Sequence, residues 1–208
     1  MAEHYFTVHP ESKHDPAQFT AKIRGWEFTF QTDAGVFSRG RLDPGSRLLI
    51  ETVELTGVTA PLDLGCGYGP VGLAIARELP TRNVYMSDLN QRAVELAAEN
   101  ARLNGINNVV IKQGDGFSPW EELLTGGFKF DLVVTNPPLR AGKQTVLQLF
   151  REAHLHLAPD GHLWTVIRTN QGAKSYLREL ETIFGSAEVV AIKSGYRVLR
   201  AQKSPLTC

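Results

Sequence analysis

From about residue 59 the apolar positions switch regularly between two periods. PLDLG (61–65) is a short apolar run ending in glycine, and GPVGLAIARELP (69–80) carries apolar residues at helical spacing until Pro80 stops it. NVYMSDL (83–89) predicts a strand. Residues 90–104 predict an amphipathic helix, with Asn90 placed to cap its start and Gly105 to end it. NVVIKQG (108–114) and KFDLVVTNPP (129–138) predict strands, TVLQLFREAHLHLAP (145–159) a helix, GHLWTVIRT (161–169) a strand and AKSYLRELETIFG (173–185) a helix. AEVVAIKS (187–194) and GYRVLRAQK (195–203) predict two closing strands around Ser194-Gly195.

Such alternation builds a doubly wound sheet with helices on both faces. The short turn between the last two strands permits only an antiparallel pair. The expected fold class is therefore α/β: Rossmann-like and mostly parallel, with about seven strands, a C-terminal antiparallel hairpin and an N-terminal extension. In that extension WEFTFQT (26–32) alternates like a strand, DAGVFSRGRLDPGS (33–46) reads as a loop, and SRLLIETVEL (46–55) reads as a helix capped by Ser46. The expected division is an extension, 1–58, packed on a core domain, 59–208. Ligands of such sheets sit beyond the carboxyl ends of the strands, near the switch in strand order.

Composition narrows the class. The 208 residues are 42% hydrophobic and 21% charged, which suits one globular domain and argues against disorder. No apolar run approaches the roughly 20 residues that span a bilayer, and MAEHYFTVHPESKHD has acids and a proline where a signal peptide needs an apolar stretch. These features place the chain in the cytosol, with no membrane partner. The two cysteines, Cys66 and Cys208, make neither a zinc site nor a disulfide framework and read as free thiols, so no metal site is expected. Net charge is +0, against a strongly basic nucleic-acid binder, yet residues 137–208 carry 10 basic and 5 acidic side chains that a polyanion could use locally.

The chemistry gathers at the predicted strand ends. Asp63-Leu64-Gly65-Cys66-Gly67-Tyr68-Gly69 joins the first core strand to its helix. Its glycines permit a tight turn and close approach of backbone to a ligand. The spacing is GxGxG behind an acid, not the GxGxxG of dinucleotide sites, and there is no GK[ST] of a phosphate loop. Asp63 suits a ligand with positive charge near the turn, a sulfonium or α-ammonium, and would repel a pyrophosphate. Asp88 ends the second core strand, where a carboxylate can accept both hydroxyls of a ribose. Asp115, before Gly116 and Phe117, could accept from an adenine amino group with Phe117 against the base. Three acids at three successive strand ends describe a pocket for an adenosine joined to a cation.

Asn136-Pro137-Pro138 ends the fourth core strand, after the buried run LVVT. The prolines fix the backbone and remove two donors. The Asn136 side-chain oxygen and the Pro137 carbonyl remain as acceptors that can grip both hydrogens of a planar –NH2 group.

Together these elements resemble class I S-adenosylmethionine-dependent methyltransferases, in particular the amino-methylating group with an (N/D)PP motif. Residues 12–51 and NPPLRAGK (136–143) resemble the small methyltransferase-domain family that includes the small-subunit ribosomal RNA guanine-N2 methyltransferases. The likeness covers nearly the whole chain and is to single-domain members. It implies S-adenosyl-L-methionine as cofactor, with Asp63, Gly65, Gly67 and Gly69 at its methionine end, Asp88 at the ribose, and Asp115, Gly116 and Phe117 at the adenine. It implies Asn136 and Pro137 as the catalytic grip on the target amine. It also implies that residues 33–43 cover the cofactor, and that RNA, from the ribosome or its small subunit, is the partner. Pro138 and Leu139 follow, and Leu139 stands where many amino-methyltransferases have an aromatic ring to stack on a flipped base. Phe37, a candidate substrate-binding residue, or another ring would have to supply that stack. Arg39, Arg41, Arg140 and Lys143 are the expected phosphate contacts.

The competing readings are a protein glutamine-amide N-methyltransferase, which would use the same –NH2 chemistry, a nicotinamide-dependent oxidoreductase, and a non-catalytic cofactor-binding partner. Leu139 in place of tyrosine weighs against the first. The GxGxG spacing and Asn-Pro-Pro weigh against the second, and the intact site weighs against the third.

Overall fold

The computed structural model describes residues 12–204. In chain order the elements are β1 (Ala17–Ile23), β2 (Trp26–Thr32), α1 (Pro44–Thr52), β3 (Pro61–Leu64), α2 (Pro70–Glu78), β4 (Val84–Asp88), α3 (Gln91–Leu103) and β5 (Val109–Gln113). There follow α4 (Glu121–Thr125), β6 (Phe130–Thr135), α5 (Lys143–His156), β7 (Leu157–Arg168), α6 (Ala173–Phe184), β8 (Ala187–Lys193) and β9 (Tyr196–Gln202). The main sheet has seven strands in the order β5-β4-β3-β6-β7-β9-β8. Strands β5 to β7 are parallel neighbours, and β9 and β8 are antiparallel. This is the doubly wound sheet with a terminal hairpin that the periodicity implied. The order reverses between β3 and β6, so their carboxyl ends diverge and leave a crevice.

The sheet separates two apolar layers. On one face α1, α2, α3 and the β1–β2 hairpin pack in a cluster that includes Phe28, Phe30, Leu49, Leu73, Met86 and Trp164. On the other, α5 and α6 pack with Phe117, Trp120, Phe130, Phe150 and Leu180. Each fully buried Leu or Phe of this kind contributes about 1.5–3 kcal/mol relative to exposure.

Strand β1 was not expected. AQFTAKI is only weakly apolar, and the outward positions of β1 are exposed or half-buried, so its alternation is faint. It forms because it pairs in full register with β2, Ala17 opposite Thr32 and Ile23 opposite Trp26. The free edge of β2 is satisfied by two asparagines one turn apart on α3. Asn100 exchanges hydrogen bonds with the backbone of Gln31 at 2.7 and 2.9 Å, and Asn104 does the same with Thr29 at 2.9 and 2.8 Å. The amides thus act as a strand would, and they fix the hairpin to the core.

Helix α1 is capped by Asp43, which accepts from the Ser46 N–H at 2.8 Å, with Pro44 in the first turn. Ser46 lies inside the helix, so the expected cap is corrected by three residues. Asp-Pro places an acceptor and a locked φ together, a stronger start signal than a lone serine. Helix α5 ends at His156, and β7 starts at Leu157, earlier than the apolar spacing suggested.

Candidate active site

A cleft of ≈ 270 Å³ opens at the carboxyl ends of β3, β4 and β6, a scale suited to a small ligand. Its floor is the turn 65–69. The N–H groups of Gly65 and Cys66 both donate to the Ser87 carbonyl, at 2.8 and 2.9 Å, and bind the turn to β4. Gly65 and Gly67 have φ of +74° and +57°, and a Cβ on either would meet nothing within 4 Å. Glycine is required here for the left-handed backbone, not for want of room. Tyr68 leaves the cleft floor for the hairpin, where its ring meets Phe30 edge-on at 5.6 Å. Its hydroxyl donates to the Arg41 carbonyl at 3.0 Å, which ties the turn to the covering segment.

Asp63 is buried and accepts the Gly72 N–H at 2.7 Å, so it serves one of the free donors at the start of α2. Burial, with the neighbouring Asp88 charge, raises its pKa from 3.8 to about 7 despite the Gly72 bond. Burial also pushes the Asp88 carboxyl up, against hydrogen bonds from Asn90 and Gly67, which lower it. These N–H groups reach its two oxygens at 2.9 and 2.8 Å. A carboxylate has about four lone-pair sites, so two remain for a diol. Burial likewise raises the Cys66 thiol, a buried free cysteine; Cys208 lies outside the described residues.

Gly114, Asp115, Gly116, Leu89 and Leu149 line one end of the cleft. Phe117 is absent from that lining and is corrected: it lies in the core, 4% exposed, with its ring 4.9 Å from the His156 ring. The turn after β5 carries its side chain under the sheet, because Gly116 takes φ +52° and Trp120 anchors the next turn. Leu89 and Leu149 are the leucines of the lining near Asp115.

At the other end stand Asn136, Pro137 and Pro138. Pro138 has φ −74° and ψ 79°, and Leu139 N donates to the Pro137 carbonyl at 2.8 Å. This is an inverse γ-turn, for which the proline ring is already set. The Pro137 carbonyl keeps one of its two lone pairs. The Asn136 Nδ2 donates to Ser46 Oγ at 3.0 Å and to Asp43 Oδ2 at 3.3 Å. Its Oδ1 has no hydrogen-bond partner among the described residues.

Phe37, Val36, Asp43 and Ser46 also line the cleft, so the covering segment forms one of its walls. Leu139 instead packs against the core under the sheet. The basic residues divide. Arg41 and Arg140 are exposed. Arg39 is engaged by Asp15, with Nε 2.7 Å from its carbonyl and a side-chain pair at 2.5 Å. Lys143 pairs with Glu179 at 2.7 Å and donates to Ser175 at 3.0 Å, so its charge is already answered within the chain. Asp43 and Ser46 were not marked as site residues by the sequence. Their signal, Asp-Pro-Gly-Ser before an apolar helix, marks a cap and says nothing of Asn136.

The donor set fits an adenosyl sulfonium: a buried carboxylate, Asp63, and a half-buried one, Asp88, in a cleft whose lining among the described residues holds no lysine or arginine, a glycine turn open to ligand, and apolar walls beyond. Among known proteins, the uncharacterized protein YbxB of Bacillus subtilis is 44% identical over 204 residues, covering 98% of this chain and 100% of that protein. Ribosomal RNA small subunit methyltransferase C of Pectobacterium atrosepticum is 34% identical, covering 83% of this chain and 48% of that one. The solved structure of the Thermus thermophilus 16S rRNA N2 G1207 methyltransferase with AdoMet and guanosine superposes with TM-score 0.79 at 30% identity, covering 93% of this chain and 52% of that one. The chain thus spans about half the length of the ribosomal RNA methyltransferases it matches. Residues 27–200 match the methyltransferase small domain, and the chain belongs to that family.

Proposed function

We propose that the protein methylates the exocyclic N2 amine of a guanine in ribosomal RNA, with S-adenosylmethionine as donor. The observation that carries this reading is the Asn136 side chain. Both hydrogens of its amide are engaged by acceptors, so it turns only an oxygen toward a substrate. The likeness to guanine-N2 methyltransferases supports the choice of acceptor.

When bound, S-adenosylmethionine supplies a methyl group made electrophilic by the sulfonium. Asp88 would hold the ribose hydroxyls, the turn 65–69 with Asp63 would take the methionine end, and Leu89, Leu149 and Asp115 would border the base. Asn136 Oδ1 and the Pro137 carbonyl accept the two N–H groups of the target amine. That nitrogen is a poor nucleophile because its lone pair is delocalised into the ring, and two acceptors below it favour the pyramidal form. As positive charge develops on the nitrogen, the same oxygens stabilise it. No side-chain base is required before transfer; the proton leaves the alkylated nitrogen afterwards. A base in structured RNA must leave its stack to enter, with Phe37 as a stacking wall and Arg41 and Arg140 free of acidic partners among the described residues to meet phosphates.

The test is transfer of labelled methyl to ribosomal subunits, free ribosomal RNA and release factors, followed by digestion. Label in N2-methylguanosine is the expected result. Label in glutamine, or in another nucleoside, would replace this reading.

A further inference from the structure

The Asn136 amide does not hold its orientation alone. Its Nδ2 carries two hydrogens, and two acceptors lie within reach, Ser46 Oγ at 3.0 Å and Asp43 Oδ2 at 3.3 Å. A flipped amide would aim Oδ1 at the Asp43 carboxylate, acceptor against acceptor, so the donor edge must face Asp43. Asp43 is itself held from both sides. Oδ2 accepts the Ser46 N–H at 2.8 Å, and Oδ1 accepts the Tyr196 hydroxyl at 3.4 Å. Tyr196, buried at the start of β9, accepts in turn from Arg168 Nε at 2.8 Å, and the Arg168 guanidinium lies 4.9 Å from its ring centre.

A second observation concerns space. A Cβ on Gly45 would lie 2.7 Å from the Tyr196 ring and 2.9 Å from Asp43 Oδ2. The ring and the carboxylate can therefore meet over α1 only because residue 45 has no side chain. Asp43 at the end of the covering segment, Ser46 in the first turn of α1 and Tyr196 from the last strand converge on one side-chain amide just past the end of β6.

We infer that Asp43, supported by Tyr196 and Ser46, is the positioning residue that locks the Asn136 amide with its oxygen toward the target amine. This rests on the proposed methyl transfer at Asn136. Asp43 does two things with one carboxylate: it caps α1, and it fixes the orientation of a group 93 residues away.

Two substitutions separate these roles. One oxygen, Oδ2, serves both the cap and Asn136. Serine caps helices about as well as aspartate, but its side chain is one bond shorter, so Asp43→Ser keeps the cap while drawing the acceptor back from Asn136 and removing the oxygen that meets Tyr196. Asp43→Asn keeps both a cap and an acceptor there. Positioning predicts that Asp43→Ser lowers kcat by roughly 10- to 100-fold, a loss typical of a small misplacement, with KM and S-adenosylmethionine affinity within about twofold of wild type. Asp43→Asn should recover most of that loss. In an Asn136→Ala background Asp43→Ser should cost nothing further, because the pair acts as a unit. Tyr196→Phe, which leaves the cap untouched, should lower kcat in the same sense by less. Equal turnover in the serine and asparagine variants, or additive losses with Asn136→Ala, would overturn the inference.

A readout without substrate is the pair of Asn136 side-chain amide signals in ¹⁵N NMR, identified by their loss in Asn136→Ala. In wild type they should lie away from random-coil positions and exchange slowly with solvent. In Asp43→Ser the pair stays resolved, because the amide C–N bond rotates slowly, but should move toward random-coil positions and exchange faster. Unchanged signals would reject the positioning role by themselves. Wild-type turnover in Asn136→Ala would instead reject the methyl-transfer reading, while the NMR result would still decide whether Asp43 orients the amide.

Discussion

In the half of the cleft proposed to hold the methyl donor, the donor half, the partners are close in the chain; the half around Asn136, proposed to hold the target amine, is the acceptor half. Asp63 takes an N–H nine residues on, and Asp88 takes one from the glycine turn 21 residues back and one from Asn90. Backbone groups do most of the holding. In the acceptor half Asn136 is held by side chains 90 and 93 residues away, and Asp43 by one 153 residues away. The first kind of site is built from a turn and two strand ends and tolerates variation elsewhere. The second depends on three separate parts of the chain arriving together. On the proposed function, a ligand that many enzymes share would be met by the first, whereas the geometry of a weak nucleophile would need the second.

The sharpest break between the halves is Asn136→Ala. Turnover should fall at least about 100-fold, in the range found when one group facing developing charge is removed, while calorimetric affinity for S-adenosylmethionine stays near wild type. Asp88→Ala should do the converse. Loss of charge-assisted hydrogen bonds should weaken cofactor binding by roughly 10- to 100-fold and lower Tm as Gly67 and Asn90 lose their acceptor.

Proton linkage sharpens the donor half further. Asp63 has a pKa of about 7 in the folded chain against 3.8 as its ordinary value, so between those values the native state holds a proton that the unfolded state has released. Its contribution to stability is present below the lower value, declines as pH rises through the window, and is flat above about 7. Cofactor binding runs the other way, because a cation favours the carboxylate. Affinity should rise with pH by up to about tenfold per unit until it levels near neutrality, and Asp63→Asn should flatten that profile.

The smallest effect is expected at Phe117. Phe117→Leu should cost about 1 kcal/mol of stability in denaturant unfolding and leave cofactor affinity unchanged, as befits a core residue.

The sequence made the donor half legible because its signals are local. Glycine spacing, a preceding acid and acids at strand ends all lie within single strand–turn–helix units. The seven-stranded sheet was legible for the same reason, through alternating periods. What stayed hidden was tertiary. Strand β1 shows almost no pattern without β2 beside it. Phe117 and Lys143 sit one turn from cleft residues, and only the local backbone path decides that one enters the core and the other meets Glu179. Asp43 could be read as a cap, but nothing in the chain pairs it with Asn136 or Tyr196.

The most direct test of guanine methylation at Asn136 is nucleoside mass spectrometry of ribosomal RNA from cells lacking this gene. One N2-methylguanosine should be missing, restored by the wild-type gene and not by Asn136→Ala. An unchanged nucleoside profile, or full restoration by the alanine variant, would contradict it.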